Sequence, residues 1–178
     1  MSLETAKYNF LIQKHKNNIY SYALYMLKNK MDAEDAAQEV MIRIWKNMDN
    51  FKMTSAKTWI LRTTHNHCID LLRKRNSILK NEIVFDDEFS ENFEDKKQNN
   101  NPYLITHLKM MTDKIKEAIK CLPENLKSVF VLYEIQGFKY KEISKTLDMP
   151  INSVKVYLLR ARKKLQEELK NYEPQEVL

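Results

Sequence analysis

The sequence predicts an all-α protein with two small helical domains joined by an acidic, flexible linker. Apolar residues recur at the three- and four-residue spacing of a helix along most of the chain, and no stretch alternates long enough for a sheet. Residues 81–101 lack this periodicity, carry seven acidic residues and end in an asparagine-rich tract. We therefore expect helical domains at residues 1–80 and 102–178, with the linker at 81–101.

The composition excludes several classes of protein. The 178 residues carry a formal net charge of +6, and their only glycine is Gly137. A glycine-rich phosphate loop or dinucleotide fingerprint needs several glycines, so most nucleotide-using enzymes are excluded. Cys68 and Cys121 lie far apart and form no CxxC pair, which indicates reduced cytosolic thiols. No signal peptide or long apolar run is present, so we expect a cytoplasmic protein without membrane insertion. Because the pattern shows no phosphate loop, metal site or nucleophile site, we expect no enzymatic activity and no cofactor.

The N-terminal domain begins with an amphipathic helix that includes Leu11 and continues to Leu27. The polar stretch "KNKMD" interrupts it, and a second helix is expected behind Asp32 as its N-cap. On a helical wheel the inward residues of this second helix are Ala37, Val40, Met41, Ile44 and Met48. Its outward residues are Asp35, Gln38, Glu39, Ile42 and Lys46. An isoleucine beside carboxylates indicates a protein partner and would repel nucleic acid, although a solvated acidic face with one stray isoleucine is the alternative.

The third helix combines a buried arc with a polar arc of a different kind. The buried arc contains Ile60, Leu61, Thr64, Cys68, Leu71 and Leu72, and the opposite arc contains Trp59, Arg62, Thr63, Asn66, Asp70, Arg73 and Lys74. A ring with cations and an asparagine is typical of single-stranded DNA binding, although Trp59 could instead pack against the preceding loop. His65 and His67 differ by about 200° around the helix and Cys68 lies on the apolar arc, so we expect no metal site.

The C-terminal domain predicts a helix-turn-helix at its end. Pro123 suits a helix start and Gly137 a helix stop, and the last two helical patterns break at "DMPI". In the final helix Val154, Leu158, Ala161 and Leu165 form one stripe with Tyr157 at its shoulder. The outward face carries Lys155, Val156, Leu159, Arg160 and Lys163. Such a face fits a recognition helix in the major groove, and a surface helix with incidental lysines is the alternative.

Three segments together resemble a known family. They are "NIYSYALYMLKNKMDAEDAAQEVMIRIW", "TWILRTTHNHCIDLLRKR" and "LPENLKSVFVLYEIQGFKYKEISKTLDMPINSVKVYLLRARKKL". In order and spacing they are similar to the bacterial RNA polymerase sigma factors of the extracytoplasmic-function (ECF) group. The resemblance covers nearly the whole chain except the linker and the ends.

The resemblance implies a role for each exposed face. Asp35, Gln38, Glu39 and Ile42 would bind core RNA polymerase at its β′ coiled coil. The loop between Lys52 and Lys57 and the helix after it would read and melt the −10 element, through Lys52, Lys57, Trp59, Arg62, Asn66, Arg73 and Lys74. The last helix would read the −35 element through Lys155, Val156, Leu159, Arg160 and Lys163. Val156 and Asn152 depart from the small polar residue and glycine common in the family, so the −35 sequence cannot be copied from a relative.

The resemblance also implies the partners and the mechanism. The partners would be core polymerase, at its β′ coiled coil and β flap, promoter DNA and an anti-sigma factor. The acidic linker is either a solvated tether or a segment that mimics nucleic acid inside the polymerase. We expect a non-enzymatic initiation factor that opens the duplex without ATP. The alternative is a helix-turn-helix regulator with an N-terminal sensing or dimerisation domain.

Overall fold

A computed structural model describes residues 3–49, 52–81 and 102–170, and every regular element in these ranges is helical. The order is α1 (Leu3–Leu27), α2 (Lys30–Lys46), α3 (Ala56–Asn81), α4 (Pro102–Cys121), α5 (Glu124–Phe130), α6 (Tyr140–Leu147) and α7 (Ile151–Lys170). A π-helical turn, Val131–Ile135, continues α5. The predicted all-α class with two helical domains is confirmed, and the acidic linker lies outside the described residues.

The boundary between α1 and α2 differs from the predicted one. Lys28 adopts a left-handed conformation with φ 62°, and its amide donates to the Leu24 carbonyl, so α1 ends at Leu27. Asn29 is the N-cap of α2 and its side-chain oxygen accepts from the Asp32 amide at 3.0 Å. The prediction of Asp32 as N-cap was wrong. An asparagine three residues earlier caps equally well, and Asp32 instead lies in the first turn, where a carboxylate favours the positive helix end.

The helix start and the helix stop that the sequence predicts in the C-terminal domain agree with the structure. Pro123 precedes the first residue of α5, and Gly137 has φ 69°, the left-handed conformation that a glycine adopts without strain. Lys139 precedes α6, and its amide donates to the Glu142 carboxylate at 2.8 Å. Asp148 ends α6 in a left-handed conformation, and the chain turns into α7 at Ile151.

The two domains share a continuous hydrophobic core, which was not predicted from the sequence. Six consecutive residues of α1, from Tyr22 to Leu27, are buried. They belong to one cluster with Leu61 of α3 and with Ile119 and Leu132 of the C-terminal domain. A helix that is buried on every side needs neighbours on every side. The second half of α1 is therefore covered by the N-terminal helices on one flank and by the C-terminal domain on the other.

A second, smaller cluster lies entirely within the N-terminal domain. It contains Leu11, Ile19, Ala37, Val40, Ile44, Ala56 and Ile60. Its members come from α1, α2 and α3, so it ties these three helices together independently of the C-terminal domain.

Polar groups are buried beside the shared core. The Tyr22 hydroxyl and His65 Nδ1 lie 2.8 Å apart, which satisfies both groups inside the protein. Burial raises the pKa of Tyr22 and lowers the pKa of His65 to about 4. His65 is consequently neutral in the folded protein near pH 7, and this hydrogen bond joins α1 to α3.

The depressed pKa of His65 predicts that the protein loses stability in mild acid. The unfolded chain takes up a proton as pH falls below the ordinary value of 6.5, whereas folded His65 resists protonation down to about pH 4. Its contribution is complete above pH 6.5 and declines between pH 6.5 and 4. The loss from pH 7.5 to pH 5 should be about 2 kcal/mol, measured by urea unfolding.

The His65→Phe variant is the control for this measurement. It should be less stable than the parent at pH 7.5 but lose less stability on acidification. His15 and His67 also have lowered pKa values and account for a remaining decline. An equal acid-induced loss in both proteins would rule out His65 as the source.

Candidate functional site

The predicted two faces of α7 are confirmed by its burial. Val154, Leu158, Ala161 and Leu165 are buried. The opposite residues are all exposed, namely Lys155, Val156, Leu159, Arg160 and Lys163. Leu159 is 68% exposed, which is unusual for a leucine between cations and leaves its side chain open to a ligand.

Contacts outside the exposed face hold α7 in place. Arg162 donates to the Glu134 carboxylate at 2.8 and 2.6 Å and lies 5.6 Å from the ring of Tyr133. The Tyr133 ring stacks on Tyr140 with 4.9 Å between centroids. This cluster joins α7 to the π-helical turn and to α6. Arg162 was not predicted from the sequence, because an exposed arginine beside a lysine run has no distinguishing sequence signal.

The polar face of α3 is only partly open. Arg62, Asn66, Arg73 and Lys74 are exposed, and so is Lys52 in the preceding loop. Trp59 is half-buried and packs against the core cluster within the N-terminal domain. Its ring also lines an open cleft of about 660 Å³ between α3 and the α6–α7 turn. The face thus presents cations along its length and an aromatic edge at its start.

Two cations of this face contact the C-terminal domain. Lys57 Nζ lies 2.8 Å from a Glu142 carboxylate oxygen and 3.9 Å from the centroid of the Phe138 ring. The Arg62 guanidinium donates to the carbonyl oxygens of Lys145 and Thr146. Burial disfavours the charged form of Glu142, but hydrogen bonds from Lys57 and a backbone amide hold its pKa below the ordinary value.

The histidines and cysteine of α3 have separate surroundings. His65 contacts Tyr22, and His67 Nδ1 lies 3.4 Å from an Arg43 nitrogen. Cys68 is buried, and burial raises the pKa of its thiol to about 12. No group of three potential metal ligands is found in the described part of the chain.

The acidic face of α2 is exposed as predicted. Asp35 and Gln38 are exposed, and Ile42 is 47% exposed. Glu39 accepts a hydrogen bond from Arg43 at 2.8 Å, which holds the pKa of its carboxyl below the ordinary value. A cationic partner would therefore meet an ionised carboxylate, and would compete with Arg43 for it.

Trp45 also belongs to this exposed surface, although it was not among the predicted outward residues of α2. It is 48% exposed and lies one helical turn after Ile42, and its ring packs edge-to-face with Tyr8 at 5.1 Å between centroids. The sequence signal was a tryptophan next to the predicted outward arc. The surface therefore offers apolar area in addition to charge.

Comparison with known proteins assigns both domains. The Sigma-70 region 2 family model matches residues 11–78, and the Sigma-70 region 4 model matches residues 112–165. The first range includes α2 and most of α3, and the second includes the helix-turn-helix. This chain belongs to the ECF sigma factors.

Several known sigma factors are similar to this chain over most of its length. SigE of Mycolicibacterium smegmatis is 30% identical over 159 residues, which cover 89% of this chain but 60% of SigE. SigM of Bacillus subtilis is 26% identical, with 88% of this chain and 91% of SigM covered. Bartonella quintana RpoE, solved in complex with the anti-sigma factor NepR, matches with a TM-score of 0.77 at 21% identity, covering 92% of this chain and 97% of RpoE.

The family decides between the two functions that the sequence leaves open. This sigma factor directs promoter-specific transcription, and its relatives are not enzymes. A regulator with an N-terminal sensing domain is not favoured, because the N-terminal half matches region 2. In the described ranges, no helix combines the length and the apolar character that crossing a bilayer requires.

Adjacent leucines of α7 provide a test of its two faces. Leu158 is 1% exposed, so Leu158→Ala should destabilise the protein by about 2–5 kcal/mol. Leu159→Ala removes the same atoms from the exposed face and should change stability by less than about 0.5 kcal/mol. Urea unfolding followed by circular dichroism measures both. Comparable losses would contradict the assignment of Leu159 to a free surface.

Proposed function

We propose that this sigma factor binds core RNA polymerase through α2, reads the −10 element through α3 and reads the −35 element through α7. The observation that supports this proposal most strongly is the exposed face of α7, the second helix of the helix-turn-helix. On that face Val156 and Leu159 lie among cations. The protein would act in the cytoplasm, and the chemistry of RNA synthesis would remain in the polymerase.

The α7 face has the chemistry of a major-groove reader. Lys155 and Arg160 can bind phosphates or guanine edges, and the apolar Val156 and Leu159 can contact thymine methyl groups. Eight basic residues against two acidic ones between Lys139 and Lys164 supply the electrostatic attraction to phosphate. The resulting preference belongs to this chain, because Val156 replaces a polar residue common in the family.

The α3 face has the chemistry of a single-strand reader. Trp59 at the start of the helix can stack on an unpaired base, while Arg62, Arg73 and Lys74 hold the backbone. Capture of an unstacked base would offset the few kcal/mol that unpairing costs, so melting would need no ATP. Lys52 extends the same cationic surface into the loop before α3.

The α2 surface suits a protein partner with positive charge. Asp35, Glu39 and exposed Ile42 would dock on the β′ coiled coil, with Gln38 adding a hydrogen-bonding group between them. The β flap would contact the C-terminal domain. Among proteins of similar fold, the sigma factor RpoE has been solved with the anti-sigma factor NepR, and CnrH with the cytosolic domain of CnrY. An anti-sigma factor is therefore a proposed partner of this chain too.

Reversal of charge on α2 tests the polymerase interface. Glu39→Arg should reduce binding to core polymerase at least tenfold, because it replaces a carboxylate with a second arginine beside Arg43 on a surface that would otherwise attract a cationic partner. Glu34→Arg makes the same charge change on an exposed residue about 140° from Glu39 around the helix and should bind nearly normally. Affinity is measured by pulldown and by fluorescence titration with core polymerase. Equal affinities of the two variants would exclude this surface.

Replacement of Leu159 tests promoter reading. With core polymerase and a library of −35 sequences, Leu159→Ala should change base preference at one or two positions by roughly tenfold. Lys164→Ala, an exposed cation outside the reading face, should lower transcription evenly across the library or leave it unchanged. An unchanged preference in Leu159→Ala would remove this residue from base readout.

A further inference from the structure

An open cleft of about 670 Å³ lies where the end of α1 and the second half of α3 meet α5. Lys127 of α5 lines this cleft and is 2% exposed. Within the described residues its ammonium has no ion pair or hydrogen bond, whereas buried Lys120 is paired with Glu117 at 2.6 Å. A buried charge without a partner is costly, and an anion from outside the chain would supply the missing partner.

The cleft carries more positive than negative charge. Lys28 is exposed where it lines the cleft, and Arg75 lines it too, bonded to Asp32 and to a backbone carbonyl of α1. Among the described lining residues, Glu124 alone carries a carboxylate. Burial lowers the pKa of Lys127 to about 8, and the charge of Lys28 lowers it further in the same direction. Both ammonium groups are still largely protonated near pH 7, so the cleft attracts anions.

The remaining lining suits a small organic molecule. The volume falls within the range of about 300–1,000 Å³ that is typical of ligand pockets. Leu72 of α3 and Leu122 before α5 form an apolar wall to which both domains contribute. The side-chain oxygen of Asn125 accepts from the Leu126 amide at 2.9 Å, which leaves its NH₂ group as a donor. An apolar wall with a few cations and amides combines binding area with the means to orient a charged group.

The arrangement of the cations favours a phosphate group over a carboxylate. Lys28 and Lys127 are near enough to influence each other electrostatically, and no described carboxylate forms an ion pair with either of them. A group with two negative charges would therefore gain more here than a group with one. A phosphate monoester carries a charge of about −1.5 to −2 near pH 7 and offers three acceptor oxygens. Lysine is a common phosphate ligand because it acts as a point charge.

We propose that this cleft binds the phosphate group of a small molecule, with Lys127 and Lys28 contacting the phosphate and Leu72 and Leu122 contacting an apolar portion. None of these four residues belongs to the surfaces proposed for polymerase or DNA. The ligand would contact α1 and α3 of the N-terminal domain and α5 of the C-terminal domain at once. Because it would bind only the folded chain, it would stabilise the protein in proportion to its concentration.

A charge-removing variant of α5 tests the site by thermal unfolding of the full chain. Lys127→Met keeps an unbranched side chain, and without ligand it should melt above the parent because no unpaired charge stays buried. In phosphate-free buffer at constant ionic strength, about 10 mM phenyl phosphate should raise the melting temperature of the parent by about 3 °C and that of the variant by less than about 1 °C. Equal rises would overturn the proposal, since anions also stabilise folded proteins without binding a site.

A variant at the exposed lysine keeps the test independent of packing around α5. Lys28→Asn removes one charge from the cleft, and asparagine tolerates the left-handed conformation of residue 28. Its matched control is Lys164→Asn, which removes an exposed lysine of α7. Titration with phenyl phosphate, followed by the ³¹P NMR line width, should show an affinity about threefold to fivefold weaker for Lys28→Asn than for the control. Equal affinities would remove Lys28 from the site and contradict the proposal.

Three ligands distinguish the source of the phosphate and the class of anion. Phenyl phosphate should bind the parent at least about threefold tighter than inorganic phosphate, because its ring contacts Leu72 and Leu122. Equal affinity for these two would assign the site to the free phosphate ion and overturn the role of the apolar wall. Benzoate presents a ring with a single negative charge and should bind about tenfold more weakly than phenyl phosphate. Benzoate binding as tightly as phenyl phosphate would overturn the assignment to phosphate.

Discussion

The burial of the second half of α1 on all sides is the constraint on which the rest of the structure depends. Six consecutive residues, from Tyr22 to Leu27, lie in the core, and no single neighbouring helix can cover a helix around its whole circumference. The N-terminal helices α2 and α3 cover one flank, and α4, α5 and the π-helical turn cover the other. The apolar area removed from water at this helix therefore holds the two domains together as well as closing the core of the first.

Two polar arrangements follow from this packing. Tyr22 is surrounded by apolar residues, so its hydroxyl needs an internal partner, and His65 of α3 provides one. The same packing brings α6 beside the start of α3, where the cations Lys57 and Arg62 find carboxylates and carbonyl oxygens. The α7 reading face lies outside these contacts. One sigma factor thus holds its two proposed DNA-reading faces in different states, one covered at its start and one open.

The faces of individual helices were predictable from the sequence. The buried stripe of α7, the apolar arc of α3 and the exposed acidic face of α2 all follow from spacing, because each residue turns the helix by about 100° wherever it lies. Helix ends were less predictable. Asn29 and Asp32 are both good caps, and the left-handed turn at Lys28 decided in favour of Asn29. The exposure of Trp45 was not predicted, because a helical wheel gives the direction of a side chain but not its neighbours. In the structure the Trp45 ring packs against Tyr8 and about half of it stays exposed.

The sequence by itself determined the all-α class, the helix-turn-helix and the outward side chains that carry the proposed functions. It also contained a signal for the shared core in the unbroken apolar run "YALYML", because a helix with one solvent-exposed face would carry polar residues within such a run. Only the tertiary structure decided what covers that run and which groups Lys57 and Arg62 contact. The reason is physical. Periodicity describes side-chain direction around one helix, whereas the Lys57–Glu142 pair joins residues 85 positions apart, and such a contact depends on how whole helices pack.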